Sequence, residues 1–229
     1  VPLEWRKRVP HHLLDIAFPD EDFDAGDYRR KAEEVLREVR SRRQLPFVVG
    51  GTGFYLRALL MGLFESPVRS DRLRKRLGDL MENKGRPYLH RILARLDARS
   101  AKSIQPNDAQ KVIRGLEVCL LARQRMSDLQ AHGRRPLKGF DVIELGLNPP
   151  RSQLIKRIEQ RVAAMFEAGL VSEVESLMKA GYSPRMKSFR AIGYQHALGV
   201  LRGELSPKKA LAATQRDTCR YAKRQMTWF

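Results

Sequence analysis

Cysteine is scarce in this 229-residue chain, and long apolar runs are missing altogether. The two cysteines, Cys119 and Cys219, stand 100 residues apart with no CxxC or CxxH pair. That disfavours a disulfide framework and structural zinc, and it fits a reducing, cytoplasmic setting. No stretch approaches the roughly 18 consecutive apolar residues of a membrane span. Residues 1–6 lack the charged start and apolar stretch of a signal peptide, so both a span and a leader are disfavoured. The phosphate loop GxxxxGK[ST] occurs nowhere, and His90, His132 and His196 have no partner at metal-ligand spacing. Adjacent His11 and His12 point in different directions in any regular structure and make poor ligands. Acidic residues are also short: 26 Asp plus Glu face 44 Lys plus Arg, a net charge of +18 that excludes an acidic solvating protein. The excess points instead to polyanions: RNA, DNA or phosphorylated small molecules.

What is present supports a packed core. Hydrophobic residues make up 42% and charged residues 31%, a balance that makes wholesale disorder a poor reading. Residues 20–27 hold five carboxylates and no base, just ahead of Tyr28, Ala32, Val35, Leu36 and Val39, whose spacing is helical. Carboxylates there complement the positive end of a helix, with Asp24 as its cap, rather than form a metal site.

Residues 45–49, Leu-Pro-Phe-Val-Val, are short, apolar and β-branched, and run into Gly50-Gly51-Thr52-Gly53 and the apolar stretch from Phe54 to Leu60. Helix, buried strand, glycine turn and helix in this order predict a unit of a parallel α/β sheet. A second run over residues 140–147 predicts another strand of that sheet, followed by a long helix from Arg151. Between them only helical periods occur: Leu73, Leu77 and Leu80; Leu89, Leu93 and Leu96; Val112, Leu116 and Leu120. The expected organisation is thus an α/β core over 1–65 and 140–229, interrupted by an all-helical insertion over 66–139. Residues 69–99 of that insertion carry ten Lys or Arg against four Asp or Glu.

Two features could carry chemistry. Backbone N–H groups of a glycine turn that opens a helix favour an anion, and glycines admit close approach, although such turns are often purely structural. On the C-terminal helix, Arg216, Arg220, Lys223 and Arg224 fall on one arc with only Asp217 to offset them. Leu211, Thr218, Tyr221, Ala222, Gln225, Met226 and Phe229 lie opposite and can pack. Phosphate contact is the expected role of the basic arc. Arg190, beside Gly193 in a helical region, suits a diphosphate because its planar fork makes paired, charge-assisted bonds.

Five separated motifs then carry a resemblance. Val9-Pro10-His11-His12-Leu13-Leu14-Asp15, Val48-Val49-Gly50-Gly51-Thr52-Gly53-Phe54-Tyr55, Pro106-Asn107-Asp108 through Arg114-Gly115-Leu116-Glu117-Val118, Arg190-Ala191-Ile192-Gly193-Tyr194 and residues 220–229 resemble, in order and spacing, the bacterial tRNA dimethylallyltransferases. The resemblance implies a P-loop kinase-like parallel sheet core carrying a helical, tRNA-binding insertion. It implies transfer of a dimethylallyl group from dimethylallyl diphosphate to N6 of the adenosine 3′ of the tRNA anticodon, position 37. By motif match Thr52 would contact the adenosine, and Arg190, with Gly50 and Gly51, would hold the diphosphate. Arg74, Gln110, Lys111, Val112, Ile113 and Arg114, and the cations Arg216, Arg220, Lys223 and Arg224, would touch the anticodon stem-loop.

The family's phosphate loop and the Asp that serves as its general base precede the position of Val1, so the resemblance implies an N-terminally truncated enzyme. Magnesium is implied by diphosphate chemistry, without a site in this chain, and the family suggests a cytoplasmic monomer. Two other readings remain: a noncatalytic RNA-binding derivative of the scaffold, and a prenyltransferase acting on free adenine nucleotides. The basic insertion and helix favour the tRNA substrate, because a mononucleotide offers few phosphates to neutralise.

Overall fold

The computed structural model of the chain describes residues 3–65 and 67–229. Val1 and Pro2, read above for a leader, and the expected domain edge at residue 66 lie outside them. In chain order the elements are α1 (Leu3–Arg8), α2 (Ala25–Ser41), α3 (Gly53–Leu60), α4 (Asp71–Lys84), α5 (Arg86–Leu96), α6 (Ala98–Ser103), α7 (Ala109–Ala122), α8 (Met126–Ala131), α9 (Arg151–Glu167), α10 (Leu170–Lys179), a 3₁₀ turn (Ser188–Arg190), α11 (Tyr194–Leu201) and α12 (Pro207–Trp228).

The expected parallel sheet, and with it the P-loop kinase-like α/β core, is not found: among the described residues there is no strand. Residues 45–49 and 140–147 join no backbone ladder, and their apolar side chains face solvent, with Val49 and Leu147 each 93% exposed. The physical reason is that β-branched, apolar residues favour extended backbone but do not supply a neighbour. A strand exists only where a second backbone accepts and donates its hydrogen bonds. One tether holds the second segment: the Arg40 guanidinium donates to Gly139 O at 2.6 Å and lies over the Phe140 ring.

The chain divides into two compact units, residues 1–57 with 139–229, and residues 58–138. In the first, Leu170, Val174, Phe189, Ala197 and Leu198 form a core where α10, α11 and the 3₁₀ turn meet. The helix α12 packs on α9 and α11, burying Ala210 and Thr214. Near the start of this unit, α2 opens with a capping box: the Asp24 carboxylate accepts from Gly26 and Asp27 N–H, and Asp27 accepts from Asp24 N–H. The cap expected at Asp24 is therefore present, and it satisfies amide groups that would otherwise have no partner.

In the second unit α4, α5 and α7 pack around Leu77, Leu89, Leu93, Val112 and Leu116. Two carboxylates are buried there. Asp97 accepts from the backbone N–H and the hydroxyl of both Ser100 and Ser127, at 2.6–3.0 Å, and so starts α6 and anchors α8. Glu117, fully buried on α7, accepts from Ser70 N–H, from the Arg74 fork and from Arg114.

Candidate functional site

In the first unit the glycine turn is held from two sides. On one side Tyr55 stacks on Tyr28 of α2, ring centroids 4.8 Å apart, and its hydroxyl donates to Phe23 O. Burial pushes both phenols above their ordinary pKa, so they stay neutral donors. On the other side lies the C-terminal part of α12. Gln225 Nε2 donates to Gly51 O at 2.8 Å, and the Tyr221 hydroxyl reaches the same oxygen at 3.4 Å. A Cβ at Gly51 would overlap the Gln225 amide, and one at Gly53 would overlap the Trp228 indole. The close approach that these two glycines permit is thus used by the protein itself. Gly50 differs, having open space beside it, and Thr52 between them is exposed.

Arg190 ends the 3₁₀ turn, exposed, with no carboxylate partner among the described residues. Its turn is pinned from the acidic segment before α2: Lys187 pairs with Asp22, and the Ser188 hydroxyl donates to Pro19 O at 2.9 Å. Beyond it Gly193 adopts φ +99°, a left-handed conformation that suits glycine. His196 Nδ1 accepts from Gly193 N–H, which leaves Nε2–H to donate to Asp217 on α12 at 3.1 Å. Partial burial would raise the Asp217 pKa, but the His196 hydrogen bond and Arg216 outweigh it and lower it.

The basic arc of α12 is exposed at Arg216, Arg220, Lys223 and Arg224. Its members are not equivalent. Arg216 and Arg220 share the Asp217 carboxylate at 3.5 and 3.3 Å, and Arg224 lies over the Tyr221 ring. Lys223 has no carboxylate partner among the described residues. On the opposite side Tyr221 and Gln225 pack as expected, whereas Met226 and Phe229 remain largely exposed.

In the second unit the predicted residues separate into three kinds. Gln110 and Lys111 are exposed on the first turn of α7, with Lys111 paired to Asp108 at 2.7 Å. Val112 is 2% exposed and Ile113 packs beside it, so the Val112 side chain belongs to the core rather than to a surface. Arg74 and Arg114 are half-buried against Glu117. Burial alone would raise the Glu117 pKa. The Arg74 fork, Ser70 N–H and Arg114 outweigh burial and hold the value at about 2.

Several of these contacts lie beyond the sequence reading. Gln225, Trp228 and the His196–Asp217 pair carry no spacing signal. Glu117 does carry one, because an acid four residues after Ile113, on the side of α7 that buries its apolar residues, announces a buried ion pair.

Residues 1–229 match the family model described as IPP transferase. A tRNA dimethylallyltransferase of Koribacter versatilis (strain Ellin345) is 50% identical over 226 residues, covering 99% of this chain and 73% of that protein. Its counterpart from Solibacter usitatus (strain Ellin6076) is 48% identical over 229 residues, covering 100% and 74%. Among solved structures, the full-length tRNA isopentenylpyrophosphate transferase of Bacillus halodurans aligns with a TM-score of 0.66 at 33% identity, over 100% of this chain and 71% of that one. A eukaryotic dimethylallyltransferase acting on tRNA aligns with a TM-score of 0.81 at 25% identity, over 99% and 57%. The chain belongs to the IPP transferase family.

Proposed function

We propose that this chain is a tRNA prenyltransferase that moves a dimethylallyl group from dimethylallyl diphosphate to N6 of the adenosine at position 37, 3′ of the tRNA anticodon. The observation that carries the reading is the match, over 99–100% of this chain, to relatives named tRNA dimethylallyltransferase, together with exposed Thr52 and Arg190 in the motifs that carry the resemblance. The C–O bond of the donor breaks as N6 bonds to the allylic carbon, N6 gives up one proton to solvent, and negative charge collects on the departing diphosphate. An unpaired guanidinium aimed at that charge stabilises it. Arg190 has this role, on a turn tethered by the Ser188–Pro19 hydrogen bond and the Lys187–Asp22 pair. Gly50, with open space beside it, presents the backbone to the same anion, whereas Gly51 is covered by Gln225. The Thr52 hydroxyl contacts the adenosine, which must leave its stack to be reached.

Arg216, Arg220, Lys223 and Arg224 neutralise phosphates of the anticodon stem-loop, and exposed Gln110 and Lys111 supply a second tRNA surface on the 58–138 unit, whose framework Arg74 and Arg114, bound to Glu117, and Ile113, packed on the core, hold in order. The enzyme acts as a cytoplasmic monomer, as the family resemblance implies. Among the described residues no helix is long and apolar enough to cross a membrane. Diphosphate transfer in this family calls for magnesium. Among the described residues no group of three or more His, Cys, Asp or Glu side chains could hold a metal ion.

The test is transfer of labelled dimethylallyl from its diphosphate to unmodified tRNA bearing adenosine 3′ of the anticodon, with tRNA binding recorded on the same sample. Transfer is the expected result. Tight binding without transfer would replace this reading with that of a noncatalytic RNA-binding protein, and transfer to free adenine nucleotides alone would replace the substrate.

A further inference from the structure

Near its end α12 lines a surface groove of about 470 Å³ with Arg220, Lys223, Arg224, Thr227 and Trp228. The indole of Trp228 is anchored without being buried. One edge rests on Gly53, where only a glycine leaves room for it, yet half of the residue is exposed. A tryptophan used only for packing would bury its large apolar surface, so its position calls for another partner. The rest of the lining narrows the choice. Arg220 already shares Asp217, Arg224 rests over Tyr221, and Lys223 has no carboxylate partner among the described residues. The Thr227 hydroxyl is committed to Lys223 O at 3.1 Å. An apolar peptide would gain nothing from three cations, and a bare inorganic anion would gain nothing from the ring. A flat aromatic beside exposed cations recognises an unpaired nucleobase with the phosphates on either side of it.

We infer that Trp228 is a stacking platform for an unpaired base of the bound RNA, with Lys223 and Arg224 taking the adjacent phosphates. Gly53, on which the ring rests, follows Thr52 directly, so a base on Trp228 lies alongside the turn that receives the target adenosine. The inference therefore rests on the tRNA reading above and adds to it a base contact that the phosphate contacts do not provide.

The chain has two tryptophans. In a full-length Trp5→Phe protein, Trp228 is the sole indole, and its fluorescence can be followed as anticodon stem-loop RNA is added. Stacking is expected to quench that emission at the same RNA concentration at which binding saturates. Trp228→Leu keeps apolar bulk over Gly53 but removes the ring, and is expected to weaken RNA affinity about tenfold. Trp228→Phe is expected to restore most of it, and neither change should alter the salt dependence, since the cations remain. RNA that binds without quenching, or that binds Trp228→Leu as tightly as the parent, would overturn the platform while leaving the tRNA reading intact. If the leucine variant does not fold, the quenching experiment and the phenylalanine variant still decide. No RNA binding by the parent protein would overturn both.

Discussion

Arg74 and Arg114 in the 58–138 unit converge on one fully buried carboxylate, whereas Arg190, Lys223 and Arg224 in the other unit are exposed with no carboxylate partner among the described residues. All five are basic residues in motifs that point to polyanions, yet their surroundings divide them. A guanidinium locked to a buried acid has already spent much of its charge and holds its neighbours in register. An unpaired one keeps its charge for a ligand, and its side chain gives up its freedom only on binding. Between these extremes stand Arg216 and Arg220, which share a single, partly exposed Asp217.

The contrast can be broken at its strongest point first. Arg190→Ala should lower turnover by about 100-fold while tRNA affinity stays unchanged, since under the proposed function it removes the charge that stabilises the leaving group and no framework contact. Steady-state and binding measurements on one preparation check it, and a parallel loss of affinity would count against the division. The converse change, Glu117→Gln, should cost about 3 kcal/mol of stability in a denaturant titration, because two guanidiniums lose the acid that orders them.

Acid should reach the framework cations and not the free ones. Glu117 is held at about 2 against an ordinary 4.5, and Asp97 at about 2 against 3.8, its burial outweighed by hydrogen bonds from Ser100 and Ser127. A depressed carboxyl pKa gives stability that is fully present above the ordinary value and is lost as pH falls toward the depressed one. Melting temperature should therefore decline between about pH 4.5 and 2, with a shallower decline in Glu117→Gln; an identical acid limb in that variant would contradict the pairing. A smaller effect sharpens the intermediate case. Lys223→Ala should reduce the log–log salt slope of tRNA binding by about one unit, and Arg220→Ala by less, because Asp217 already offsets its charge. Smallest of all, Arg37→Ala, which removes an exposed pair with Glu33 on α2, should change stability by no more than about 0.5 kcal/mol.

Helical periods were the most legible feature. The apolar spacings at 28–39, 73–81, 89–96 and 112–120 lie within α2, α4, α5 and α7, and the carboxylates before Tyr28 cap α2. They are legible because a helix makes its hydrogen bonds within one segment and shows its buried side as a local period. The strands were misread for the complementary reason. Residues 45–49 and 140–147 have strand-like composition, but ladder bonds are made to another segment, and among the described residues none pairs with them.

The site shows the same division. Motif order and spacing alone identified the family, and the basic arc of α12 follows from the arrangement of residues around a helix. Tertiary structure decided how those residues are used. It placed Gln225 and Trp228 against the glycines that sequence alone would offer to a ligand, turned Val112 into the core, and tied Arg74 and Arg114 to Glu117 while leaving Arg190 and Lys223 with no carboxylate partner among the described residues. Periodicity and charge are properties of neighbours along the chain, so the sequence by itself determined them. Burial and pairing depend on side chains as distant as Gly51 and Gln225, and only the folded chain brings these within reach of one another.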